Sequence, residues 1–110
     1  MKLYDLIANK RSEFLAICKK HRVTKLYAFG SSITSEFKEH SDIDFVVDLD
    51  IEDPIEFGET LLALWDEFES LFERRIDLLT DDSISNPFLR KSIDSTRKLV
   101  YDGQGEKVLI

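Results

Sequence analysis

Residues 27–49 read YAFGSSITSEFKEHSDIDFVVDL, an apolar run that stops at Gly30 and a second that opens on Asp42-Ile43-Asp44. From Ile43 to Leu49 the pattern has period two. Ile43, Phe45, Val47 and Leu49 fall on one face, with Asp42, Asp44, Val46 and Asp48 on the other. Such alternation predicts a β-strand with one face in the core. Two aspartates on one side of that strand repel each other, and without a counter-charge one of them tends to stay protonated. A hard divalent cation such as magnesium reverses the balance, because it selects anionic oxygen ligands. Asp42 and Asp44 therefore read as half of a metal site.

Upstream, Leu26-Tyr27-Ala28-Phe29 predicts a short strand over 25–29 that ends at Gly30. A short helix is expected over 31–37, followed by a polar loop, KEHS, at 38–41. A strand-to-helix turn presents backbone N–H groups and a helix dipole to an anion, and glycine lets the backbone approach a phosphate closely. Gly30, with the hydroxyls of Ser31 and Ser32, is therefore the expected phosphate-binding turn. Downstream, RIDLLT (75–80) predicts a third strand in which Ile76 and Leu78 share one face and Asp77 takes the other. Should that strand neighbour 43–49, Asp77 falls beside Asp42 and Asp44. Three carboxylates so placed can hold two cations about 4 Å apart, the arrangement used for in-line displacement at phosphorus.

The rest of the chain supplies the scaffold. Leu3, Leu6, Ile7, Phe14, Ile17 and Cys18 predict a helix over 3–20, with a ragged apolar stripe interrupted by Arg11. Asp53-Pro54 combines an N-cap with a first-turn proline, and Phe57, Leu61, Leu64, Trp65, Phe68, Leu71 and Phe72 then recur at helical spacing. Trp65 reads as core. Asn86-Pro87 opens a last helix through about Lys98, and 99–101 reads as a short edge strand before Gly103. Elements alternate helix, strand, helix, strand throughout. The expected fold is a small α/β (α+β) domain over 1–110, with a mixed sheet of about four strands covered by helices.

Composition narrows the function. A hydrophobic share of 43% with 8 Phe and 1 Trp is enough for one core. No apolar stretch approaches the roughly 18 to 20 residues that span a bilayer. The opening MKLYDLIANKRSEF lacks the apolar segment of a signal peptide. A single cysteine, Cys18, on the core side of a helix fits a reducing compartment, so the expected location is cytoplasmic. A net charge of −7 with scattered Lys and Arg argues against direct nucleic-acid binding.

The stretch GSSITSEFKEHSDID resembles the signature of the DNA polymerase β-like nucleotidyltransferase superfamily. From the first helix to about Tyr101 the chain is similar to the minimal nucleotidyltransferases (MNT), the MntA-type antitoxins of HEPN/MNT toxin–antitoxin pairs. The resemblance implies that Gly30 and Ser31 bind the phosphates of ATP and that Asp42 and Asp44 bind two Mg2+ ions. It also makes Asp77 the third acidic ligand, which helps deprotonate the acceptor hydroxyl. The implied reaction moves AMP to a hydroxyl acceptor, here a tyrosine of a HEPN-domain toxin encoded nearby, in a homo- or hetero-oligomer. No histidine base is needed, which leaves His21 and His40 as bystanders, with phosphate contact from His40, near the site loop, the alternative. Two other functions stay open: an antitoxin that acts by contact alone, and a small-molecule nucleotidyltransferase, whose usual additional helical domain this chain lacks. The apolar residues Phe88, Leu89, Val108, Leu109 and Ile110 read either as a partner surface or as core.

Overall fold

The computed structural model of the protein describes residues 2–104 and the backbone of 107–108. Its elements are α1 (Leu3–Asn9), α2 (Arg11–Lys20), β1 (Val23–Phe29), β2 (Ile43–Leu49), α3 (Pro54–Phe72), β3 (Ile76–Leu79), α4 (Pro87–Thr96), β4 (Lys98–Asp102) and the two-residue β5 (Lys107–Val108). The strands form one sheet in the order β3-β2-β1-β4-β5. β2 pairs with β3 in parallel, and the other neighbouring pairs are antiparallel. The sheet is mixed, as expected. The segment 99–101, expected at an edge, instead lies inside β4 between β1 and β5.

The period-two pattern divides the sheet into two faces. Ile43, Phe45 and Val47 of β2 join Ile76 and Leu78 of β3 in a core sealed by Leu3 and Ile7 of α1, Phe14 and Cys18 of α2, and Leu64, Phe68 and Phe72 of α3. Phe14 and Phe68 stack with ring centroids 5.6 Å apart, and Phe45 sits 5.4 Å from Phe68. Each such aromatic pair contributes on the order of 1 kcal/mol beyond the area it buries. Cys18 lies in this core, where burial pushes its thiol up, so it stays a neutral hydrophobe. Trp65 packs at the margin of the same core, and its indole N–H donates to the Ile76 carbonyl at 2.6 Å.

The other face is covered more lightly. Phe29 and Val46 meet Ile84 and Ile93, with Tyr27 and Leu79 at the margin, so α4 caps this face through Ile93. Asp44 and Asp48 alternate with Val46 and share that face. The strand pattern therefore decides which side of the sheet carries chemistry.

Local chemistry sets the element ends. Asp53 accepts the Glu56 N–H at 2.9 Å and Pro54 follows at the first helical position. Asn86 accepts the N–H groups of Phe88 and Leu89 ahead of Pro87 in the same way. The helix expected over 3–20 is two helices, broken at Lys10 (φ −124°, ψ 30°), and the first of them runs alongside the turn after β1. His21 is buried and joins Glu67, tying the end of α2 to α3, while His40 is exposed in its loop. Phe88 (85% exposed) and Leu89 lie on the surface of α4 rather than in the core. The side chain of Val108, together with Leu109 and Ile110, lies outside the described residues. No helix among the described residues is long and apolar enough to cross a membrane.

Candidate active site

The parallel pairing of β2 and β3 puts Asp44 opposite Asp77, between the core pairs Ile43–Ile76 and Phe45–Leu78. Residues paired in register point the same way, so both carboxylates emerge on the face away from the large core. Asp42 stands one residue before β2 and is exposed, as is Asp77, whereas Asp44 is half-buried. Both other aspartates act on Asp44. The Asp44 carboxyl is pushed up to about 6, first by burial, then by Asp77, then by Asp42. Among the described residues no three His, Cys, Asp or Glu side chains are already drawn together as a metal-binding group.

Phe29, the last residue of β1, pairs with Asp44, and the chain turns at once through Gly30 (φ +66°). A Cβ at position 30 would lie 2.8 Å from Asp44 Oδ2. Glycine is required there twice over, for the left-handed backbone and for the carboxylate packed against it. The helix expected over 31–37 is a single 3-10 turn, Gly30–Ile33. Thr34 stops it: its hydroxyl donates to the Ser31 carbonyl at 3.0 Å and accepts the Glu36 N–H at 3.2 Å. A helix dipole is thus absent from the turn, and any anion it holds relies on local N–H groups and hydroxyls. Ser31 is partly exposed beside Gly30. Ser32 is turned inward, 1% exposed, and its Oγ accepts the Asp44 N–H at 2.8 Å. That bond braces the turn against β2, so Ser32 fixes the position of Asp44.

Neighbouring elements hold the two ends of the site. The Ile76 N–H donates to Glu69 Oε2 at 3.0 Å and the Ile76 carbonyl accepts from Trp65, so α3 grips β3 at the residue before Asp77. Arg74, between α3 and β3, reaches across to the loop that precedes Asp42. Its Nη1 donates to the carbonyls of Lys38 (2.7 Å) and Ser41 (3.1 Å), and its guanidinium lies 4.6 Å from the centre of the Phe37 ring. No sequence pattern marks Arg74; the one cue is an arginine three residues before a candidate metal ligand.

A second charged cluster lies further along the same face. Arg90 donates to Asp81 Oδ1 at 2.7 Å, and Arg97 reaches the same oxygen at 3.3 Å while lying over the Tyr27 ring. The Arg90 hydrogen bond and both positive charges hold the Asp81 carboxyl below its ordinary range. Asp48 is shifted the other way, by burial and by Asp81. The cluster pins α4 onto the sheet.

A glycine turn, an Asp-x-Asp strand and a third aspartate on the parallel neighbour together define a class of enzyme that transfers nucleotidyl groups at a carboxylate-lined centre. The chain belongs to the polymerase β nucleotidyltransferase family, whose profile matches residues 13–106. Among its relatives, the candidate protein adenylyltransferase MJ1379 of Methanocaldococcus jannaschii is 37% identical over 82 residues, which is 74% of this chain and 79% of that one. MJ0126 of the same organism, also named as a candidate protein adenylyltransferase, is 37% identical over 83 residues, 76% of this chain and 80% of its own. Among solved structures, a candidate minimal nucleotidyltransferase superposes with a TM-score of 0.61 at 27% identity, covering 89% of this chain and 95% of that one. A chain from a toxin–antitoxin crystal structure with AMP-PNP has the same fold, with a TM-score of 0.61 at 20% identity over 86% of this chain and 76% of its own.

Proposed function

We propose that the protein transfers AMP from ATP to a hydroxyl on a partner protein, with a tyrosine of a HEPN-domain toxin as acceptor, and so acts as that toxin's antitoxin. The observation that carries the reading is the Asp44–Asp77 register, with Asp42 two residues upstream of Asp44 and the Gly30 turn against Asp44. The names of the M. jannaschii relatives support a protein acceptor.

The donor set fits magnesium: three carboxylates, hard and anionic, with no histidine or thiolate among them. Asp42, Asp44 and Asp77 would hold the metal, Asp77 on the acceptor side. When bound, magnesium supplies charge neutralisation of the triphosphate and acidification of the acceptor hydroxyl. The chain's own contribution is placement. Gly30 and Ser31 offer N–H and hydroxyl donors to the phosphates, and Ser32 fixes Asp44 beneath them. The three carboxylates also make the acceptor face negative, a charge that a bound cation would offset.

Incubation with α-labelled ATP, magnesium and the neighbouring gene product tests this. Label should appear on the partner and be lost in Asp42→Ala and Asp44→Ala. Neutralisation of the partner that survives both substitutions would instead establish an antitoxin acting by contact, for which the exposed Phe88 and Leu89 offer a surface.

A further inference from the structure

Asp42 and Asp77 reach the site on different peptide arms. Asp42 ends the loop after the Gly30 turn, and Asp77 sits on β3 at the sheet edge. Loops are the mobile part of a domain, and a metal site whose ligands lie on a mobile loop loses affinity to the ordering it must impose. Something has to hold the loop to the strand.

We propose that Arg74 is the residue that does so: a positioning residue that sets Asp42 relative to the Asp44–Asp77 pair and thereby the affinity of the centre for divalent metal. The inference rests on the metal reading of the three aspartates given above. Arg74 leaves α3 just after Glu73, whose left-handed backbone (φ 52°, ψ 42°) turns the chain from the helix towards β3. From there one guanidinium nitrogen bonds the carbonyls of Lys38 and Ser41, and Ser41 is the residue before Asp42. The same group covers Phe37, which is 6% exposed and belongs to the main core. A planar guanidinium can stack and donate at once, which a lysine ammonium cannot reproduce.

The loop is built to receive this clamp. Lys38 and Ser41 close a turn through two bonds, Lys38 N–H to Ser41 Oγ at 2.9 Å and Ser41 N–H to the Lys38 carbonyl at 3.1 Å. Arg74 therefore binds both ends of an already closed turn. Next to it, the Ile43 N–H donates to the Arg75 carbonyl at 3.1 Å, where the β2–β3 pairing begins. Side chain and ladder act in parallel, one upstream and one downstream of Asp42. With the side chain gone, the ladder still holds Ile43, but the peptide on the other side of Asp42 loses its anchor.

Mn2+ affinity of the full chain, read by electron spin resonance of free Mn2+, tests the proposal alongside thermal melting and amide exchange. Arg74→Met keeps an unbranched apolar stem and removes the donors; it should weaken Mn2+ binding about tenfold, the usual cost of losing a partner that orients metal ligands. Exchange of the Ser41 amide should speed up as well. Arg74→Lys retains the charge without the paired geometry and should recover only part of the affinity. Wild-type Mn2+ affinity in a folded Arg74→Met protein would overturn the proposal, whatever happened to its melting temperature. Full recovery in Arg74→Lys would reduce Arg74 to a point charge and overturn it too. Failure of the wild-type protein to bind Mn2+ at all would sink the metal reading itself, and this inference with it.

Discussion

Asp44→Asn is expected to abolish nucleotidyl transfer while making the metal-free protein more stable at neutral pH. Loss of activity follows from the position of Asp44, shared between Asp42 and Asp77 and packed against the Gly30 turn. Removing a metal ligand there removes several kcal/mol of transition-state stabilisation, about 10³-fold in rate or more. The gain in stability follows from the folded carboxyl being pushed up to about 6 against an ordinary 3.8. A raised folded value means that the proton is held more tightly in the folded state. That contribution is complete below about 3.8 and is lost as pH rises through about 6, so ionised Asp44 strains the fold at pH 7.5. Asparagine is neutral throughout. Because Asp44 is half-exposed, solvent screening trims the difference to about 1 kcal/mol, or about 4 °C in melting temperature. The advantage should hold near neutral pH and shrink as pH falls from about 6 towards 3.8 in paired melts of wild type and variant. A variant that melted well below wild type at pH 7.5 would give Asp44 a structural role.

Gly30→Ala carries the second large effect. An alanine at φ +66° costs about 1–2 kcal/mol in backbone strain alone. Its Cβ, 2.8 Å from Asp44 Oδ2, also forces the carboxylate to move, because carbon and oxygen do not approach so closely without a bond. A displacement of order 1 Å at a reacting centre costs about 10²-fold in rate. The variant should therefore melt lower and lose about two orders of magnitude in label transfer. Gly58→Ala is the control. Position 58 lies within α3 with nothing within 4 Å of the new Cβ, and alanine favours a helix over glycine by about 1 kcal/mol. It should melt higher and transfer normally. Equal activity in Gly30→Ala and wild type would separate the turn from the chemistry.

Much of this was legible from residue order. Alternation through 43–49 told which face was core, and the Ile76–Leu78 spacing put Asp77 on the other. Those readings are robust because a slip of one residue would bury aspartate and expose leucine. What alternation leaves open is the partner of each strand, so the in-register parallel pairing of Asp44 with Asp77 comes from the sheet alone. The run 31–37 suggests a helix, but Thr34, through two local hydrogen bonds, ends the turn after Gly30 at once. The sequence does not show that Ser32 turns inward to accept the Asp44 N–H, because that depends on the packing of β1 against β2. Arg74 was invisible for a related reason. Its partners are main-chain carbonyls and one ring, none of which leaves a residue pattern.

Crystals grown with Mn2+ and a non-hydrolysable ATP analogue, examined at the manganese absorption edge, test the central assignment most directly. Anomalous peaks are expected within about 2.5 Å of carboxylate oxygens from Asp42, Asp44 and Asp77, with the analogue's phosphates over Gly30 and Ser31. Manganese bound elsewhere, or a nucleotide seated away from the Gly30 turn with Asp77 uninvolved, would contradict it.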